Sequence, residues 1–168
     1  SINFNDYGNT IRRVFNNYDY KLSIEPGRSL VANSGVLITK IIYIKNSERK
    51  NFLIVDGAMN DFIRPTLYNA HHNIEPLIKS KNKEIKYDVV GPICETGDYF
   101  VKDLKLNQPM EGQCLAIFSA GAYGSVMSSN YNSRPSAGEV LVHNEKIYLL
   151  RKQEMIEYQI QKEILPDL

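Results

Sequence analysis

Cysteine is scarce, charge is balanced, and no apolar stretch is long. The 168 residues contain two cysteines, Cys94 and Cys114. Their spacing suits no metal site, and without an extracellular context both are expected to be free thiols in a reducing compartment, the cytoplasm. Twenty basic and 19 acidic residues leave a net charge of +1. With no Lys/Arg block beside it, that balance argues against a nucleic-acid binder. No apolar run approaches the roughly 20 residues that a membrane helix needs. Internal repeats and low-complexity segments are missing as well. The first residues, Ser1-Ile2-Asn3-Phe4-Asn5-Asp6, carry neither an initiator methionine nor a signal-peptide pattern. The chain is therefore expected to be the tail of something longer.

What is present suits one ordinary globular domain, 43% hydrophobic, large enough to bury roughly 70% of its unfolded surface. Asp6 is a candidate cap for a short helix whose apolar positions Ile11, Val14, Phe15 and Tyr18 follow helical spacing. Tyr20 to Ile24 reads as a buried strand, so the front of the chain resembles half of an alternating α/β unit. From residue 35 the texture is strands and turns: Val36–Lys45, a turn at 47–51, Phe52–Val55, then strands near 86–90, 113–118, 139–143 and 146–151. Asp61–Ala70 reads as a short helix interrupted by Pro65. Glu154–Ile164 reads as an amphipathic helix closed by Pro166. The expected fold is mainly β, a barrel or sandwich over residues 25–168, with a piece of α/β over residues 1–24.

Four stretches carry candidate chemistry. In Gly91-Pro92-Ile93-Cys94-Glu95-Thr96-Gly97-Asp98-Tyr99, Pro92 and Gly97 stop regular pairing and hold open a loop with a thiol, two carboxylates and a phenol. An unperturbed thiol titrates near about 8.5, so at neutrality it holds a proton to give. A neighbouring carboxylate can grip an ammonium group. Glu25-Pro26-Gly27-Arg28 suits a type II turn. Its glycine also lets backbone N–H groups approach an anion, and Arg28 adds a fork for phosphate or carboxylate. Arg64 and Tyr68 are four residues apart and can share a helical face. Ala120-Gly121-Ala122-Tyr123-Gly124 follows a strand as a turn that admits a ligand closely, with the Tyr123 hydroxyl in reach. Each stretch alone also reads as plain structure. Adjacent His71 and His72 point apart in any regular element and are read as structural.

Taken in order, Glu25-Pro26-Gly27-Arg28-Ser29-Leu30-Val31-Ala32, Asp56-Gly57-Ala58-Met59-Asn60-Asp61, Arg64-Pro65-Thr66-Leu67-Tyr68-Asn69-Ala70, Gly91-Pro92-Ile93-Cys94-Glu95 and Gly121-Ala122-Tyr123-Gly124 through Arg134-Pro135 resemble the diaminopimelate decarboxylase family. Thr96 stands where that family usually has Ser, and Ser136–Gly138 vary its basic continuation. The resemblance implies a fold of a (β/α)₈ barrel followed by a β domain, with residues 1–24 as the last barrel helix and strand. It implies pyridoxal phosphate as cofactor, meso-2,6-diaminopimelate as substrate, L-lysine and carbon dioxide as products, and a homodimer with shared sites. By the same resemblance, Glu25, Gly27, Arg28 and Tyr123 contact the cofactor. Arg28, Arg64, Tyr68 and Tyr123 contact the substrate, Glu95 meets its ammonium group, and Cys94 is the proton donor. No metal is implied. The family's cofactor-bearing lysine, its ring-stacking histidine and its glycine-rich phosphate loop lie upstream, so this chain is expected to be inactive alone. Two alternatives remain: a related ornithine- or arginine-type decarboxylase, and a non-catalytic dimerising β domain left by truncation.

Overall fold

A computed structural model describes residues 3–167. Its centre is a six-stranded, nearly closed sheet in the order β3-β6-β1-β2-β4-β5. The strands are β1 (Leu37–Asn46), β2 (Asn51–Val55), β3 (Ile74–Pro76), β4 (Glu84–Val90), β5 (Tyr99–Asn107) and β6 (Cys114–Ile117). All pairings are antiparallel except β2 with β4. Alternation along β1 turns Thr39 and Ile41 inward. They meet Leu53, Val55, Phe62, Tyr87, Val89, Phe100, Leu115 and Ile117, all essentially inaccessible to water. Each large apolar side chain so buried is worth about 1.5–3 kcal/mol, and together they fix the register of the sheet. The fold is mainly β, as expected.

Two strands escape the sequence pattern. β3 is three residues long at a sheet edge, where Pro76 needs no ladder donor. β5 carries Lys102, Asp103 and Lys105 among its apolar residues, and Asp103 adopts a left-handed φ of 56° that breaks the alternation. The break is held in place: the Asp103 N–H donates to Asp88 Oδ1 at 2.8 Å, and Lys50 Nζ donates to Asp88 Oδ2 at 2.5 Å.

The helices differ from expectation in their ends. α1 (Phe4–Phe15) is capped by Asn3, whose side chain accepts the Asn5 N–H, while Asp6 sits in the first turn. α2 (Arg64–Tyr68) carries Pro65 in its first turn instead of being interrupted by it, because a first-turn proline lacks only an N–H that had no partner. Asn69, left-handed at φ 49°, ends it. α3 covers only Ile156–Ile160, and beyond it Ile164 and Leu165 stand in solvent with no core to hold a further turn. The buried strand expected over Tyr20–Ile24 is absent. Those residues have no regular structure, and Tyr20, Leu22 and Ile24 are exposed. A parallel strand is stable only between neighbours, and the described residues supply none. β7 (Glu139–His143) and β8 (Lys146–Arg151) form a separate hairpin. Its turn residues Asn144 and Glu145 both have positive φ, as a tight two-residue hairpin requires. No described helix is long and apolar enough to cross a membrane.

Candidate active site

The site is assembled by two backbones in close approach. A Cβ on Gly121 would strike the Val31 carbonyl oxygen and the Gly35 nitrogen. Because neither glycine has a side chain, residues 31–35 dock on the turn that follows β6. The Ala120 N–H donates to the Gly35 carbonyl and the Gly121 N–H to the Ala32 carbonyl, both at 2.9 Å. The Ser119 hydroxyl adds a bond to Asn33 Oδ1 at 2.8 Å. This docking carries Glu25–Arg28 to Tyr123, whose hydroxyl lies 3.8 Å from where a Gly27 Cβ would stand. Tyr123 itself is left-handed at φ 57°.

The turn at Glu25–Arg28 is not type II. Gly27 does not adopt the positive φ that a type II turn demands. Its N–H donates instead to the Glu25 carbonyl at 3.0 Å. Of the two N–H groups expected to face an anion, that of Gly27 is thus engaged locally. The Arg28 N–H has no acceptor among the described residues.

Arg64 is the centre of the cluster. It is 7% exposed, and its guanidinium carbon lies 5.3 Å from the Tyr68 ring centre and 5.7 Å from that of Tyr123. Both contacts are within cation–π range. Arg64 and Tyr68 therefore do share a face of α2, and Tyr123 meets them from the turn after β6. Among the described residues no carboxylate pairs with Arg64, and its buried Nε–H has no acceptor. A buried cationic donor left unsatisfied is costly, so the cluster suits an anion, a carboxylate or a phosphate. His72, 4% exposed, lies beside it. Burial drives the His72 pKa below its ordinary 6.5; the Phe118 carbonyl opposes this, while Arg64, Arg28 and His71 add to it.

The Cys94 loop divides its groups. Asp98 is buried, accepting the Met59 N–H on Oδ1 and the Ile93 N–H on Oδ2, both at 2.7 Å. Burial raises its pKa, with the two N–H bonds acting against that shift. Gly91 is required because the Asp98 carboxylate fills the space a Cβ would take. Asp98 is therefore the pin of the loop, while Cys94 and Glu95 are exposed at its tip. Glu95 lines a shallow cavity of about 270 Å³ with Met59, Asn60, Ile63, Ser129 and Tyr131. The Thr66 hydroxyl donates to the Gly97 carbonyl, tying this loop to α2. Arg134, in the block Asn130–Pro135, is occupied internally: Nε donates to Asn60 Oδ1 at 2.9 Å, and Nη2 lies 3.6 Å from Asp61 Oδ2. That block contributes Tyr131 to the wall of the cavity.

Two groups of side chains result, joined by α2. Gly27, Arg64, Tyr68 and Tyr123 form one, with the charge of Arg28 felt at its edge; Cys94 and Glu95 belong to the other. Sequence read His72 as structural and counted Asp98 among the chemical groups of its loop, since a buried pin and a surface ligand look alike in one dimension. The sequence profile of the family described as pyridoxal-dependent decarboxylase, C-terminal sheet domain, matches residues 15–121. The chain belongs to that family. The diaminopimelate decarboxylase of Aquifex aeolicus is 46% identical over 91% of this chain and 36% of its own length. That of Pseudomonas aeruginosa is 50% identical over 90% and 36%. The crystal structure of the Helicobacter pylori diaminopimelate decarboxylase complexed with L-lysine superposes with a TM-score of 0.86 at 44% identity, covering 95% of this chain and 39% of that one. The chain thus spans little more than a third of these relatives. Within the decarboxylase sheet domain, the acceptor-less Arg64 between two phenols is a feature that fits an anionic substrate or cofactor group.

Proposed function

We propose that this chain acts as the C-terminal domain of a diaminopimelate decarboxylase, which releases carbon dioxide from meso-2,6-diaminopimelate to leave L-lysine. The observation that carries the proposal is Arg64: a buried guanidinium, faced by Tyr68 and Tyr123, with no carboxylate partner among the described residues. Residues 1–24 are assigned to the barrel and residues 25–168 to the β domain.

Pyridoxal phosphate, when bound, supplies the sink for the electron pair of the breaking carbon–carboxylate bond. The backbone at Glu25–Arg28, through the Arg28 N–H that has no acceptor among the described residues, and the Tyr123 hydroxyl would hold its phosphate. Arg28, Arg64 and Tyr68 hold a substrate carboxylate, for which a guanidinium fork and a phenol are matched donors. Tyr123 shares in that contact from the turn. Glu95 meets the substrate ammonium group, and the Cys94 thiol gives its proton to the carbon that carbon dioxide has left. Their exposure at a loop tip suits a role in the site of a neighbouring subunit, so the working unit is a homodimer. Two free thiols, one of them exposed, suit the cytoplasm. The test is to supply the enzyme that carries this domain with meso-diaminopimelate, ornithine and arginine in turn. Lysine formation from the first alone is expected. Comparable kcat/KM on ornithine or arginine overturns the assignment.

A further inference from the structure

His72 has no part in the roles above, yet it is one of the most deeply enclosed polar side chains near the cluster. Its Nδ1 lies 3.0 Å from the Phe118 carbonyl oxygen. A carbonyl only accepts, so Nδ1 carries the hydrogen, and in the neutral ring Nε2 is a bare acceptor. A flip of the ring would put Cδ2 where Nδ1 stands and lose that bond, while the ring packs edge-on against Phe62 at 4.6 Å. Nε2 is buried and has no partner among the described residues. Arg64 Nε is a buried donor in the same condition.

The two orphans belong to one neighbourhood. Phe62, two residues before Arg64, packs on His72, and the Ala70 N–H, two residues before His72, donates to the Arg64 carbonyl at 3.4 Å. Buried polar atoms that lack direct partners are commonly satisfied through an enclosed water, which needs two to four polar contacts. A donor and an acceptor meet that need together.

We propose that His72 is a positioning residue: its Nε2 accepts, through one bound water, the hydrogen bond of Arg64 Nε–H, and so aims the outer nitrogens of the guanidinium between Tyr68 and Tyr123. The Phe118 carbonyl fixes the tautomer, the tautomer fixes which atom faces the water, and the water fixes the fork. The charged groups around His72 are the cationic Arg64 of α2, Arg28 of the docked segment and the adjacent His71. All three favour the neutral ring that the bridge requires. The inference deepens the reading of Arg64 as an anion anchor and rests on it for its functional consequence.

Two isosteres separate the two ring nitrogens. His72→Asn keeps a donor for the Phe118 carbonyl and deletes the acceptor at Nε2; His72→Gln keeps an acceptor near Nε2 and deletes the donor. The measurement is nitrogen-15 NMR of the complete enzyme that carries this domain, following hydrogen exchange of the Arg64 Nε–H, with glutarate added as a dicarboxylate probe. Slow exchange is expected in the parent and in His72→Gln, with exchange about tenfold faster in His72→Asn, the loss of one modest hydrogen bond. Glutarate affinity should fall several-fold in His72→Asn alone. Should both variants unfold, Arg64→Lys serves: the His72 Nε2 resonance should move, and an unmoved resonance overturns the proposal. Equal protection in His72→Asn and the parent, or loss in His72→Gln alone, also overturns it. If protection follows the expected pattern but glutarate binds none of the proteins, His72 positioning stands and the anion reading of Arg64 falls.

Discussion

At the residue scale, burial separates the two groups of the Cys94 loop proposed to do chemistry from the group that holds the loop. Cys94 and Glu95 are exposed at a loop tip, and Asp98, three residues on, is buried as the pin. Cys94→Ala in the complete enzyme should lower kcat by about 10²- to 10⁴-fold with little change in KM, because a general acid acts after substrate is bound. Glu95→Gln should instead raise KM strongly. A loss in Cys94→Ala of less than a few-fold would make the thiol a bystander. His72 supplies a test of stability against pH. Its folded pKa lies below the ordinary 6.5, so over the interval between those values the unfolded chain binds more protons than the folded one. Stability from this group is thus present above pH 6.5 and lost as pH falls through the folded value. Urea midpoints of the parent should drop between pH 6.5 and 5 more steeply than those of His72→Gln. Equal slopes would show that His72 does not titrate differently on folding.

At the scale of elements, the site depends on two segments docking through glycine. Gly121→Ala would force a Cβ into the Val31 carbonyl and the Gly35 nitrogen, costing about 1–3 kcal/mol and moving Glu25–Arg28 off Tyr123. Thermal denaturation and cofactor affinity of the complete enzyme should both suffer. A variant with unchanged affinity would sever the docking from the function. Strands β1, β2, β4, β6, β7 and β8 were legible in sequence because each is a run of β-branched, aromatic or other apolar residues bounded by turn signals. β5 was not, because Asp103 turns left-handed to meet Asp88 and interrupts the alternation. The Arg64/Tyr68 pairing was legible from a spacing of four. The engagement of Arg134 with Asp61 and Asn60, and the pinning of the loop by Asp98, were not. The bonds from Met59 to Asp98 and from Arg134 to Asn60 join positions 39 and 74 residues apart, and one-dimensional spacing carries no sign of them.

At the scale of the whole molecule, much apolar surface faces solvent. Val140, Leu141 and Val142 of β7, Ile147 to Leu150 of β8, and Tyr20, Leu22 and Ile24 are all exposed. Patches of that extent seek partners. The 168-residue chain by itself should self-associate, with light scattering giving a mass above 19.2 kDa; a clean monomer at high concentration would contradict this. The central claim, that Cys94 completes a decarboxylase site shared between subunits, is tested most directly by mixing two inactive full-length enzymes. One carries Cys94→Ala, and the other lacks the cofactor-bearing lysine. After subunit exchange, mixed dimers should regain lysine formation from meso-diaminopimelate, because one of their two sites then holds intact groups from both chains. No recovery despite demonstrated exchange would mean that Cys94 serves its own subunit or no site at all.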